Sequence, residues 1–227
     1  MVKAMYPTRI ISNYFNLAIS LVLLSFPLTA ACADEALAKV LQDRIDQVKQ
    51  DPKAMKAAMA KGKEAAGFCV LCHGETGNSS KAEVPHLAGQ NPVYLLDQLE
   101  RFTDGSRDDF IMSPLAKKLT PDDKVALVVY YANQRRLANV ASNADPALLV
   151  RGQEIFEKNC ISCHGDDGRG KVGYAYIAAL PEKYIAGTLT RFREPNSHRI
   201  NVLMAAAAST LSNEDIDALA AYLSNLR

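Results

Sequence analysis

Wherever the apolar positions of this chain are regular, they fall at a helical spacing. Val125, Val128, Val129 and Ala132 stand at i, i+3, i+4 and i+7, and Ile216, Leu219, Ala220 and Leu223 repeat that spacing near the C-terminus. Each series follows a helix-start signal. Thr120-Pro121-Asp122-Asp123 offers an N-cap, a proline at the first helical position and an acid three residues on, and Leu211-Ser212-Asn213-Glu214-Asp215 is its counterpart. Asp34 to Gly67 is built mostly of helix formers with Pro52 as the one breaker, which predicts a helix over 35–50 and a second running from Pro52 toward Cys69. Tyr94, Leu95, Leu99 and Phe102 give a short helix over 92–102 its apolar side, and helix resumes at about Ala147 and leads into Cys160. The segments between, at Gly74 to Ser80 and Gly105 to Met112, carry the glycines and polar residues of loops. The pattern is that of an all-α protein.

The order of features occurs twice, at an offset that drifts between 90 and 92 residues. Gly74 and Gly77 return as Gly165 and Gly168, Tyr94 as Tyr184, Arg101-Phe102 as Arg191-Phe192, and Met112 as Met204. Asn139 to Pro146 is a polar, small-residue connection. The expected organisation is a leader over 1–33, a helical extension over 34–59, a first domain over 60–138, a linker over 139–147 and a second domain over 148–227.

The duplicated chemistry is Cys69-Val70-Leu71-Cys72-His73 and Cys160-Ile161-Ser162-Cys163-His164. C-x-x-C-H is the attachment signature of c-type haem: two thiols form thioethers with the porphyrin vinyl groups and the histidine meets the iron. Four cysteines also suit a disulfide framework or a zinc site. Zinc would need ligands converging from both motifs, whereas here each cysteine pair has its own histidine and its own candidate sixth ligand. A neutral proximal histidine needs an acceptor for its other ring nitrogen. Pro85, through its carbonyl, is the candidate in the first half, and Tyr176 stands at the equivalent place in the second.

The sixth ligand separates a carrier from a catalyst. An open position admits small molecules, whereas a thioether closes the site and favours reduced iron. Outside the leader the methionines are Met55, Met59, Met112 and Met204. Met55 and Met59 precede Cys69 on the helix leading into the motif, which suits packing. Met112 lies 39 residues after His73 and Met204 lies 40 after His164, each just before the last helix of its half. They are the expected axial ligands, with a core methionine as the plain alternative. His198 is the alternative ligand of the second haem, and His86 suits a hydrogen-bonded role. Arg101, Arg191 and Arg193 are candidate partners of propionates, and Tyr94 and Tyr184 are expected near haem or interface.

Residues 1–33 have the form of an export signal. Lys3 and Arg9 are the only charges before Asp34, Leu17 to Leu28 is an apolar core, and Ala31-Cys32-Ala33 suits cleavage before Asp34. Export agrees with haem attachment outside the cytoplasm. Two alternatives tie the protein to the membrane: a lipidated Cys32 after the loose lipobox Leu28-Thr29-Ala30-Ala31, and an uncleaved anchor from about Ile10. Without the leader, 24 basic residues face 25 acidic ones, and no basic stripe suggests nucleic acid.

At Cys69 to Gly77, Pro85-His86-Leu87-Ala88-Gly89-Gln90, Tyr94 to Phe102 and Ile111 to Ala132 the sequence resembles the dihaem cytochrome c4 family. Cys160 to Gly170, Tyr184 to Phe192 and Leu203 to Leu223 carry the resemblance through the second half. It implies two tandem class-I cytochrome c domains related by approximate two-fold symmetry, two covalent haem c groups with His/Met ligation, and single-electron transfer in the periplasm. The partners implied are a donor cytochrome complex or dehydrogenase and an acceptor such as a terminal oxidase, with no bond chemistry by the protein itself. Similar dihaem units are electron-accepting subunits of sulfur-compound dehydrogenases, and a dihaem peroxidase is the enzymatic alternative. The sequence departs from the family in its long extension, which suits a docking element, and in Tyr176-Ile177-Ala178-Ala179-Leu180, which replaces the Pro-x-Leu-Ala-Gly-Gln of the first half.

Overall fold

The computed structural model describes residues 28–138, 144–171 and 173–227. Among these residues the regular elements are helices: α1 (Leu28–Gln50), α2 (Pro52–Ala65), α3 (Val70–His73), α4 (Pro92–Asp104), α5 (Met112–Ala116), α6 (Pro121–Ala132), α7 (Pro146–Asn159), α8 (Ile161–His164), α9 (Glu182–Arg193), α10 (Val202–Ala208) and α11 (Asn213–Asn225). None of them is long and apolar enough to cross a membrane. The apolar core of the proposed leader and most of the 139–147 linker lie outside the described residues.

Each half is organised by its first and last helices. In the first, α2 packs on α6; in the second, α7 packs on α11. Both pairs cross at a glycine. A Cβ on Gly62 would collide with Ala126 O and Tyr130 Cβ, and one on Gly152 with Ala218 O and Tyr222 Cβ. The backbones therefore approach more closely than any larger residue allows. The start signals of the closing helices act as the sequence predicts. Thr120 and Asp123 form a reciprocal capping box on α6, and Ser212 and Asp215 form one on α11. Buried Lys124 ties α6 to α4 through Glu100 at 2.8 Å and Thr103 at 3.2 Å.

The extension is part of the first half's core. Leu41 and Ile45 are buried among Leu95, Leu96, Val125 and Val128, and Arg44 holds Asp122 at the start of α6 at 2.7 Å. Helix α1 begins at Leu28, earlier than the expected residue 35. The 59/60 boundary falls inside α2, so extension and first domain share that helix.

The halves meet along a short backbone pairing. Arg107 and Arg199 stand opposite each other in an antiparallel bridge, with Asp108 N–H donating to His198 O at 2.6 Å and Ile200 N–H to Ser106 O at 2.8 Å. The approximate two-fold axis passes between these two arginines.

Two substitutions test this architecture. Replacing Gly152 with alanine overpacks the α7–α11 crossing and is expected to cost about 1–3 kcal/mol. Ile45→Ala is expected to cost about 2–5 kcal/mol, read as a lower denaturation midpoint of the holoprotein. An unchanged midpoint for Ile45→Ala would mean that α1 is an appendage rather than core.

Candidate haem sites

Both C-x-x-C-H motifs occupy the same local structure. Helix α2 ends just before Cys69 and helix α7 just before Cys160, and each motif forms a single turn, α3 or α8, ended by a glycine at positive φ, Gly74 or Gly165. The turn buries the histidine, 6% exposed at His73 and 8% at His164. The four cysteines of the two motifs are not joined in disulfides. Among the described residues no three His, Cys, Asp or Glu side chains converge as metal ligands. The two motifs thus stay apart, and the zinc arrangement is absent from the described residues.

Each histidine ring is set by a backbone carbonyl. His73 Nδ1 lies 2.9 Å from Pro85 O, and His164 Nδ1 lies 2.9 Å from Ala175 O. A carbonyl only accepts, so Nδ1 carries the proton and Nε2 presents its lone pair. Burial lowers the pKa of both rings, which keeps them neutral. The acceptor in the second half is Ala175, not the expected Tyr176. The Nδ1 acceptor follows the histidine by twelve residues in the first half and by eleven in the second, because the second loop is one residue shorter.

A cavity of about 1150 Å³ runs between the two sites. Cys69, Cys72, His73 and Met112 line it from one half, and Cys160, Cys163, His164 and Met204 from the other. Protein interiors close-pack and leave few voids larger than a water molecule; an apolar cavity of this size is space for large prosthetic groups. The methionine loops are built alike. Asp109 Oδ1 accepts from Met112 N–H at 2.9 Å, and Asn201 Oδ1 accepts from Met204 N–H at 2.9 Å. Met55 and Met59 pack against the first core instead. His198 is exposed and does not line the cavity. His86 is buried, and its Nδ1 accepts from Ser79 N–H at 2.8 Å.

The polar end of the cavity lies at the interface. Arg199 Nη2 donates to Tyr94 OH at 3.2 Å across the axis, and Arg107 Nη2 makes a longer contact to Tyr184 OH at 3.4 Å. Each guanidinium also stacks on a phenylalanine of its own half, Arg107 over Phe102 at 4.3 Å and Arg199 over Phe192 at 4.6 Å. Burial pushes the Tyr184 hydroxyl up, yet Arg199 and Arg107 outweigh it and bring it down to about 7. That site has cations to spare and suits carboxylates such as haem propionates. Of the arginines singled out in the sequence, Arg101 and Arg191 line the cavity, whereas Arg193 turns away to Leu211 O and Asn213. Arg107 and Arg199 were missed, although their offset of 92 equals that of Met112 and Met204.

Replacing Arg199 with glutamine removes the charge that Tyr94 and Tyr184 share. The expected cost is about 1.5–3 kcal/mol, the range for hydrogen bonds to charged groups. The Tyr184 hydroxyl should titrate at higher pH in that variant, measured by ultraviolet difference titration. A Tyr184 titration that did not move would show that Arg199 does not control it.

The cytochrome c family model matches residues 149–227. Cytochrome c4 of Pseudomonas aeruginosa is 33% identical over 181 residues, 74% of this chain and 88% of that protein. The thiosulfate dehydrogenase electron acceptor of Thiomonas intermedia is 30% identical over 182 residues, 75% of this chain and 83% of that protein. The crystal structure of reduced recombinant cytochrome c4 from Pseudomonas stutzeri superposes with a TM-score of 0.67 at 31% identity, covering 73% of this chain and 97% of that one. With its paired C-x-x-C-H sites around one large cavity, this chain belongs to the cytochrome c4 family, all-α electron-transfer proteins of two tandem cytochrome c domains with two covalently bound haem c groups.

Proposed function

We propose that Cys69 and Cys72 hold one haem by thioethers and Cys160 and Cys163 the other, with His73 and Met112 as axial ligands of the first iron and His164 and Met204 of the second. The observation that carries this is the duplication of the whole constellation around one cavity: a thiol pair, a neutral histidine oriented by a carbonyl, and a methionine loop capped by an acid or amide side chain. Bound haem supplies a one-electron iron couple. The chain's residues orient that couple, exclude water from it and close its sixth position, so the protein transfers electrons and does no bond chemistry of its own. Arg107, Arg199, Tyr94 and Tyr184 would receive the propionates.

The protein works in the periplasm between a donor and an acceptor. The resemblance to the thiosulfate dehydrogenase electron acceptor supports a dehydrogenase as one donor, alongside a cytochrome complex, with a terminal oxidase as acceptor. Phe68 is 78% exposed and Leu71 70% exposed beside the first cysteine pair. They offer an apolar surface on which a redox partner can approach. Docking by the extension is less well supported, because Leu41 and Ile45 are spent in the core. The domain limits we propose remain 60–138 and 148–227, the first completed by α1 and the start of α2.

Methionine-ligated ferric haem has a weak absorption band at the red end of the visible. Met112→Ala and Met204→Ala should each remove about half of it, since each haem contributes one such bond. A band untouched by both changes would refute the ligand assignment. Intact mass of the protein from the native host is expected to match a chain starting at Asp34; a diacylglyceryl mass on Cys32 would place it on the membrane instead.

A further inference from the structure

We propose that Gln90 and Arg136 of the first domain are positioning residues for the proximal histidine of the second haem. This rests on the assignment of His164 as an axial ligand. His164 Nδ1–H donates to Ala175 O at 2.9 Å, and Ala175 lies in an irregular segment between α8 and α9. The next residue, Tyr176, is bonded to the other domain through both of its backbone polar groups. Tyr176 N–H donates to Gln90 Oε1 at 2.6 Å, and Gln90 Nε2 donates to Tyr176 O at 2.9 Å. The primary amide thus pairs with the peptide as a neighbouring strand would. Arg136 adds a clamp. Its Nη1 donates to Tyr176 O at 2.9 Å and to Ala178 O at 3.1 Å, its Nε to Ala88 O of its own domain at 2.9 Å, and its guanidinium lies 3.7 Å over the Tyr176 ring.

The second domain anchors the same loop one residue later, where Ile177 and Ala178 N–H donate to Gly168 O. The peptide that adjoins the acceptor carbonyl is therefore held from across the interface. The first domain's loop is reached from across the interface farther from its acceptor, where Tyr184 N–H donates to Ala82 O at 3.0 Å, three residues before Pro85. Its acceptor is Pro85, whose ring restricts the backbone, and the adjacent His86 is bonded within the domain, accepting from Ser79 N–H at 2.8 Å. The position that His86 fills in the first half is filled by Tyr176 in the second, 90 residues on. An internal staple in one copy corresponds to an interdomain staple in the other.

A histidine that donates firmly from Nδ1 is a more basic ligand and favours ferric iron. Loosening its acceptor raises the potential. Gln90→Ala is neutral and removes both bonds to Tyr176. In a spectroelectrochemical titration of the holoprotein it should raise the potential of the second haem, shifting its reduction equilibrium by of order tenfold, ~59 mV for one electron. The first haem should not move. Exchange of the His164 Nδ1–H, followed by NMR in the reduced protein, should quicken in parallel. Arg136→Lys keeps the charge while breaking the fork, and it should act in the same direction. Lys183→Ala, which removes the exposed interdomain pair with Glu83, is the control and should change neither readout.

Equal shifts of both haems, or a Lys183→Ala shift as large as that of Gln90→Ala, would reduce the effect to general loosening of the interface and overturn the proposal. Unmoved potential and exchange in both Gln90→Ala and Arg136→Lys would overturn it as well. The red absorption band is read in the same samples. A second-haem signature insensitive to Met204→Ala and to His164 substitution would signal failure of the ligand assignment, a separate result.

Discussion

The close crossing of the first and last helices in each half is the constraint on which both sites depend. Gly62 lets α2 lie against the backbone of Ala126, and Gly152 lets α7 lie against that of Ala218. Each first helix runs into its C-x-x-C-H turn, and each last helix follows the methionine loop. Fixing the crossing therefore fixes where the chain delivers the thiols and histidine and where it delivers the thioether. The capping boxes at Thr120 and Ser212 set the start of the last helix, and so the distance from the methionine loop to the crossing. A side chain at either glycine would separate the helices and open the wall of the cavity they jointly close.

The second constraint is electrostatic. Arg107 and Arg199 stand opposite each other in the backbone bridge, and Arg199 is 8% exposed. A buried charge is costly unless partnered. The protein meets part of that cost with aromatic faces and tyrosine hydroxyls, but no carboxylate of the chain is ion-paired with Arg107 or Arg199 among the described residues. Arg199 and Arg107 outweigh the effect of burial on Tyr184 and draw its hydroxyl toward ionisation. In the proposed assignment propionates would bring negative charge to the seam, and folding of the seam and loading of the sites would be linked.

What could be read in the chain was what is local or repeated. The haem motifs, helix starts and matched methionines are short patterns with a mechanism behind each, and repetition separated Met112 and Met204 from Met55 and Met59. The same register would have paired Arg107 with Arg199, but arginine in a polar loop is ordinary, and only the interface makes it buried. The carbonyl behind His164 is that of Ala175 rather than Tyr176, because the one-residue deletion in the second loop changes which carbonyl points back at the ring and no local motif marks where in the loop it falls. The burial of Leu41 and Ile45 is a long-range contact of a helix that composition described only as helical. The bonds of Gln90 to Tyr176 span 86 residues and are invisible to any local pattern.

Duplication explains the shared parts of the two sites, and divergence explains why they are not equivalent. Both copies must hold a carbonyl against a histidine through a loop that no helix or strand supports. The first does so with a proline and a buried histidine from its own sequence. The second has lost both and takes its support from the neighbouring domain, whose Gln90 and Arg136 stand where the interface already brings the backbones together. A loop supported from outside is stiff only while the interface is closed. On the proposed reading the second acceptor, one residue from its interdomain bonds, is coupled to the seam more directly than the first, whose loop is reached from across it at Ala82, three residues before Pro85. Two haems of the same proposed ligation would in this way be held at different potentials by one fold, which is the condition for an electron to have a preferred direction between them.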